Sequence, residues 1–128
     1  MDEITILQAE VLKTLASPRR LEILHVLGRG PLEVGRLAEA IGASQPNVSQ
    51  HLAVMRAGGV VEADREGREV RYRLSDPEII VACEMMRGVL ARRLARISAA
   101  AARTSDELVA ERTSGTSTVS TAPNNRVS

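Results

Sequence analysis

The run Ser44-Gln45-Pro46-Asn47-Val48-Ser49-Gln50-His51 sets several short polar side chains within two helical turns. Amides so placed have a definite chemistry. Gln and Asn can each form a bidentate pair with N6 and N7 of adenine, worth about 1–3 kcal/mol of base discrimination per good pair. Ser44 is an N-cap candidate and Pro46 falls in the first turn, so the run opens a helix. Free N–H groups and the positive end of the helix dipole favour phosphate there. Val48, Leu52 and Met55 recur on the other face and are expected to hold the helix to a core. No acidic residue lies between Glu39 and Glu62, whereas His51 and Arg56 fall inside that window. A carboxylate there would meet a phosphate field repulsively.

A second cluster follows. Val60-Val61-Glu62-Ala63, the polar turn Asp64-Arg65-Glu66-Gly67-Arg68 and Val70-Arg71-Tyr72-Arg73-Leu74 alternate as a β-hairpin does. Guanidinium groups on such a wing can reach a flanking DNA backbone or the minor groove. Glu62, Asp64, Glu66 and Glu69 cancel the charge in sum, so only the tip, Arg65 and Arg68 especially, is expected to touch nucleic acid. Arg71 and Arg73 alternate with Tyr72 and have acids across the strands with which to pair.

These groups need a scaffold, and the periodicity supplies one. Ile4, Leu7, Val11 and Leu15 predict a first amphipathic helix. Ser17-Pro18 opens a second, carrying Leu21, Ile23, Leu24 and Leu27 and stopped by Gly28 and Gly30. A third runs roughly from Leu32 to Ile41 and stops at Gly42. The tight turn Ile41-Gly42-Ala43-Ser44 then joins two short helices as a helix-turn-helix, whose second helix can enter a major groove. That helix ends at Gly58-Gly59. After the hairpin, Ser75-Asp76-Pro77-Glu78 opens a last helix with Ile79, Cys83, Met86, Leu90, Leu94 and Ile97 spaced by threes and fours. So long and narrow a stripe suits packing on a partner helix.

Composition removes other classes. The 128 residues contain one Tyr, no Phe and no Trp, so there is no base-stacking platform for single strands. A formal net charge of +1 excludes a uniformly basic coat. The basic residues are sixteen Arg and Lys13 alone, an imbalance that GC-rich coding or phosphate binding would equally produce. A single cysteine, Cys83, permits no intramolecular disulfide and no CxxC metal site. No apolar run nears the roughly 20 residues that span a bilayer, and a soluble, cytoplasmic protein without membrane contact is expected. The two His and one Cys lie on separate elements and no Gly-rich phosphate loop is present, so no enzyme is expected.

The stretch LASPRRLEILHVLGRGPLEVGRLAEAIGASQPNVSQHLAVMRAGGVVEADREGREVRYRLSD resembles the ArsR-type (ArsR/SmtB) winged-helix repressors over about residues 12–76. The resemblance rests on the L-A-S-P-R-R-L-E-I-L opening, the S-Q-P-N-V-S-Q-H-L helix, the A-G-G-V-V strand entry and the E-G-R-E-V-R-Y-R-L wing. It implies a mainly α winged helix-turn-helix with a β-wing (α+β), in the order α-α-α-α-β-β-α, dimerised through the first and last helices. It also implies a homodimer on a palindromic double-stranded DNA operator, released by an effector to permit transcription. On this reading residues 1–103 form the winged helix-turn-helix domain with its dimerisation helices. Residues 104–128 form a C-terminal extension, disordered from about 113, where Ser, Thr, Asn and Pro dominate. The DNA-binding residues would be Ser44, Gln45, Pro46, Asn47, Ser49, Gln50, His51, Arg56, Arg65 and Arg68. The alternative is a winged-helix protein–protein interaction module without specific DNA binding.

The family's sensor sites are incomplete here. The third helix reads Leu32-Glu33-Val34-Gly35-Arg36 without a thiol, and the positions that should complete a carboxylate/His site with Asp76 and Glu78 are Val89 and Arg92. Neither binds zinc. The cofactor, if any, is therefore unknown. Cys83, with Met85 and Met86 beside it, is the one soft effector candidate: two such clusters meeting across a dimer would suit a soft ion or thiol chemistry. The competing reading is packing, because Cys83 and Met86 lie on the apolar stripe.

Overall fold

The computed structural model describes the backbone of residues 1–127 and the side chains of residues 1–114. The element order is α1 (Glu3–Leu15), α2 (Pro18–Leu27), β1 (Leu32–Glu33), α3 (Val34–Ile41), α4 (Gln45–Ala57), β2 (Val61–Glu66), β3 (Glu69–Leu74) and α5 (Glu78–Val127). Two compact units result, Met1–Glu84 and Met85–Ser128, with the first turns of α5 belonging to the former. The extension expected to be disordered from about 113 falls, past Ser114, outside the residues whose side chains are described.

Apart from α3, whose N-cap Glu33 makes no side-chain cap bond, the helices of the first unit begin where short polar side chains satisfy their free N–H groups. Asp2 accepts from the Thr5 N–H at 2.7 Å, Ser17 from Arg20 at 3.4 Å and Ser44 from Asn47 at 3.3 Å. Pro18 and Pro46 occupy first-turn positions where their missing N–H costs nothing. Asp76 Oδ1 accepts from the Glu78 N–H at 2.9 Å and starts α5 in the same way.

The sheet differs from expectation in two places. Leu32 and Glu33 were expected to open the third helix; instead they pair antiparallel with Tyr72 and Arg71, and the helix begins at Val34. The three strands are therefore ordered β1-β3-β2. The hairpin is also longer and tighter than the alternation implies. Asp64, Arg65 and Glu66, assigned to the turn, pair with Arg71, Val70 and Glu69, leaving Gly67 and Arg68 as the connection. Gly67 has φ 63°, and a glycine with positive φ at the first central position is what a two-residue type II′ connection needs.

One core joins these elements. Ile23, Leu24, Leu37, Val48, Leu52, Met55 and Val61 are its fully buried members, with Leu15, Leu27, Ala38, Val60 and Leu74 around them. Each fully buried Leu or Ile contributes about 1.5–3 kcal/mol of transfer free energy. The upper half of α1 does not join this core: Ile4 is 76% exposed and Leu7 59%. Considered by itself, the unit from Met85 leaves Met85, Met86, Val89, Leu90, Leu94 and Ile97 exposed as well.

Candidate nucleic-acid interface

The turn that sets α4 against α3 is built from main-chain bonds. Gly42 adopts φ 66°, a left-handed conformation that costs a glycine little. Its N–H reaches the Glu39 carbonyl, and the Ala43 N–H reaches Ala38 at 3.0 Å. This is a Schellman closure, satisfying carbonyls that the end of α3 would leave free. The side chain of Arg19, on α2, adds a third tie: Nη1 donates to the Ile41 carbonyl oxygen at 3.2 Å and to Glu22 at 3.4 Å. The chain leaves this turn through Ser44 directly into α4.

On α4 the burial pattern separates two faces. Val48, Leu52 and Met55 are fully buried, whereas Ser44, Gln45, Pro46, Asn47, Ser49 and Gln50 are all exposed. His51 is half-buried and Arg56, in the last turn, is exposed. The structure thus brings the polar run together on one outward surface. Ser44 is committed to capping through its Oγ, so its base-reading capacity is smaller than that of the amides. The Gln45 side chain leans toward the start of α3, where a Cβ on Gly35 would lie 4.0 Å from Gln45 Oε1.

The wing sorts its arginines. Arg73 donates from Nε to Asp64 at 2.7 Å and also pairs with Glu62, and these acids raise its pKa above the usual guanidinium value. The Asp64 hydrogen bond is the largest cause. Arg71 sits 3.9 Å from Glu69. The two strand arginines are thus occupied by acids, whereas Arg65 and Arg68 at the tip are exposed and make no ion pair among the described residues.

Cys83 lies on α5 within the first unit, half-buried, and packs with Ile79 and Ile80 against the core. Burial, followed by the charge of Glu84, pushes its thiol above the ordinary range. Glu84 itself is 2.8 Å from His25 Nδ1. Asp76 is engaged in capping α5. Among the described residues, no three His, Cys, Asp or Glu side chains converge as a metal-holding group.

Sequence reasoning missed Arg19. Its role depends on Ile41, 22 residues away, and no local pattern signals it.

A three-stranded sheet flanking a helix-turn-helix defines the winged helix-turn-helix class. The family model "Bacterial regulatory protein, arsR family" matches residues 17–63. The HTH-type transcriptional regulator Rv0081 of Mycobacterium tuberculosis is 41% identical over 87 residues, covering 67% of this chain and 76% of that one. Its crystal structure superposes with a TM-score of 0.64 over 74% of this chain and 96% of the other, at 38% identity. The homodimeric winged helix-turn-helix DNA-binding domain Mb0332 of Mycobacterium bovis gives a TM-score of 0.65 at 33% identity, covering 71% and 84%. The chain belongs to the arsR family of bacterial regulatory proteins. The HTH-type transcriptional regulator NmtR of M. tuberculosis is 49% identical over 71 residues, 56% of this chain, and the match spans only 59% of NmtR.

Proposed function

We propose that this protein is a homodimeric, sequence-specific transcriptional repressor that binds a palindromic double-stranded DNA operator and releases it on meeting an effector. The observation that carries this reading is the outward row of Gln45, Asn47, Ser49 and Gln50 on a helix anchored by fully buried Val48, Leu52 and Met55. Such a row can read base edges, while Arg65 and Arg68 hold phosphate. Homodimer formation is favoured by the exposed apolar residues of α1 and, separately, of residues 85–97, more than a monomer ordinarily leaves in water. No catalytic step belongs to this reading. A cytoplasmic location accompanies it; no helix among the described residues is long and apolar enough to cross a membrane.

The test is duplex selection from a random library followed by titration at several salt concentrations. The wild type should enrich a palindrome and bind it with a steep salt slope. Replacement of Gln45 and Asn47 by Ala should erase the preference. If that double variant kept both affinity and preference, direct readout by α4 would be wrong. If no duplex were enriched at all, the protein–protein module would be the better reading.

A further inference from the structure

The stretch from Met85 to Ser105 contains five arginines, Arg87, Arg92, Arg93, Arg96 and Arg103, and no acidic residue. At 100° per helical residue, Arg92, Arg96 and Arg103 fall within about 40° of one another, spread over roughly 16 Å of helix axis. All three are exposed, and none makes an ion pair or hydrogen bond among the described residues. Arg103 has Asp106 three residues on and Glu107 four residues on, yet the structure pairs it with neither. The apolar stripe of Met86, Leu90, Leu94 and Ile97 lies about 130° away around the helix. A partner helix covering that stripe would leave the arginine row in water.

We propose that Arg92, Arg96 and Arg103 form a second DNA-binding surface, which takes duplex phosphates without regard to sequence. Three guanidinium groups on one face, none of them ion-paired and only Arg103 with acids a turn away, are weakly hydrated, so each gains from a phosphate oxygen fork. Duplex DNA offers one negative charge per about 1.7 Å of axis, and its counterions are released on binding. The occupant is set by charge complementarity together with the polymer that α4 already addresses, so the inference rests in part on the proposed function. In this arrangement α4 chooses the site, and the α5 row adds affinity and salt sensitivity on flanking or competing DNA.

The experiment uses the full chain and a random-sequence duplex, for which the preference of α4 is irrelevant. Arg92→Gln, Arg96→Gln and Arg103→Gln together should flatten the plot of log affinity against log salt. The expected change is about 0.9 for each phosphate no longer neutralised, up to about 3 per protomer. The matching Lys triple should keep most of the slope. Gln45→Ala with Asn47→Ala should do the converse, keeping the slope and losing preference on a selected duplex; failure there would strike the proposed function and leave the row intact. Far-ultraviolet circular dichroism and sedimentation accompany each variant, and the single Arg96→Gln change serves if the triple fails to fold. An unchanged slope overturns the proposal. So does a triple variant that dissociates into monomers, which would place the arginines in pairs between copies. Loss of binding to anionic lipid vesicles with an unaltered duplex slope would also overturn it.

Discussion

Arg19 Nη1 stands 3.2 Å from the carbonyl oxygen of Ile41, joining the first turn of α2 to the last residue of α3. That carbonyl belongs to the end of a helix and has no partner further along it, so a guanidinium donor both satisfies and neutralises it. The bond fixes where the turn through Gly42 begins, and hence the direction in which α4 leaves it. Arg19→Ala should destabilise the protein by about 1 kcal/mol, discounted for the partial exposure of the pair. For a domain of this size the melting midpoint should fall by roughly 4–8 °C. Duplex affinity should drop further than the stability loss explains, because α4 is less well held. A thermal melt and a titration on the same sample separate the two effects. Equal losses in both would reduce Arg19 to a stabilising residue.

Ser44 and its neighbours should divide cleanly between folding and recognition. Ser44→Ala removes the acceptor for the Asn47 N–H and should cost about 1 kcal/mol in urea unfolding. Gln45→Ala and Asn47→Ala alter exposed side chains and should stay within about 0.5 kcal/mol of wild type. Their expected effect is a loss of about 1–3 kcal/mol of discrimination at individual base pairs. Comparing base-by-base substitution of a selected duplex for each variant would reveal it.

The wing should behave as two sets of arginines. Arg65→Ala and Arg68→Ala leave no ion pair broken and should lower duplex affinity while leaving the melt unaltered. Arg73→Ala removes the hydrogen bond to Asp64 and the pairing with Glu62, leaving two unpaired acids side by side on one face of β2. Its effect should show mainly as increased amide hydrogen exchange in β2 and β3. Weakened duplex binding by Arg73→Ala with an intact hairpin would mean that the strand arginines also reach DNA.

Much of this organisation is legible in the sequence because its signals are local. The Ser17-Pro18 and Ser44-Pro46 starts, the Gly42 stop and the change of period at Val60 each report on a few adjacent residues, and the observed elements follow them. Three features are not local. Leu32 and Glu33 follow a helical pattern yet become a strand because Tyr72 and Arg71, some 40 residues on, offer a free edge. The Ile4 and Leu7 periodicity correctly marks a helix but cannot say whether the apolar face meets this core or another surface. The tie from Arg19 to Ile41 is made by a side chain that any solvated helix face would also show. At the interface, residue type indicated the α4 row, and strand alternation already set Arg65 and Arg68 apart from Arg71 and Arg73; the structure adds the particular partners, Asp64 and Glu62 for Arg73 and Glu69 for Arg71.

Gly58 shows how little room separates α1 from the end of α4. A Cβ there would lie 2.5 Å from Thr14 Oγ1 and 2.8 Å from its Cγ2, closer than packed atoms approach. Thr14 is β-branched and its hydroxyl already donates to the Glu10 carbonyl at 3.1 Å, so its rotamer has little freedom to yield. Gly58→Ala should therefore destabilise by about 1–3 kcal/mol through overpacking. Thr14→Ala in the same chain removes the two nearest atoms and should restore most of that loss. A double-mutant cycle by urea unfolding tests the coupling; additive effects would show that the helices part easily here.

Cys83 is expected to be a poor thiolate. Burial against the core disfavours its charged form, and Glu84 disfavours it further, so its pKa is raised on folding. A group whose folded pKa lies above its unfolded value favours the native state below the unfolded pKa, and loses that contribution as pH rises through the folded one. The effect on stability should thus be confined to alkaline pH, above the usual thiol value of about 8.5. Near neutrality, alkylation by iodoacetamide should be slower than for an unstructured cysteine peptide, with the pH profile displaced upward. Unfolding in urea should bring the two profiles together. Cys83→Ser should correspondingly leave release of a bound duplex by thiophilic effectors unchanged. Rapid alkylation at neutral pH, or release abolished by the serine variant, would return Cys83 to the role of sensor.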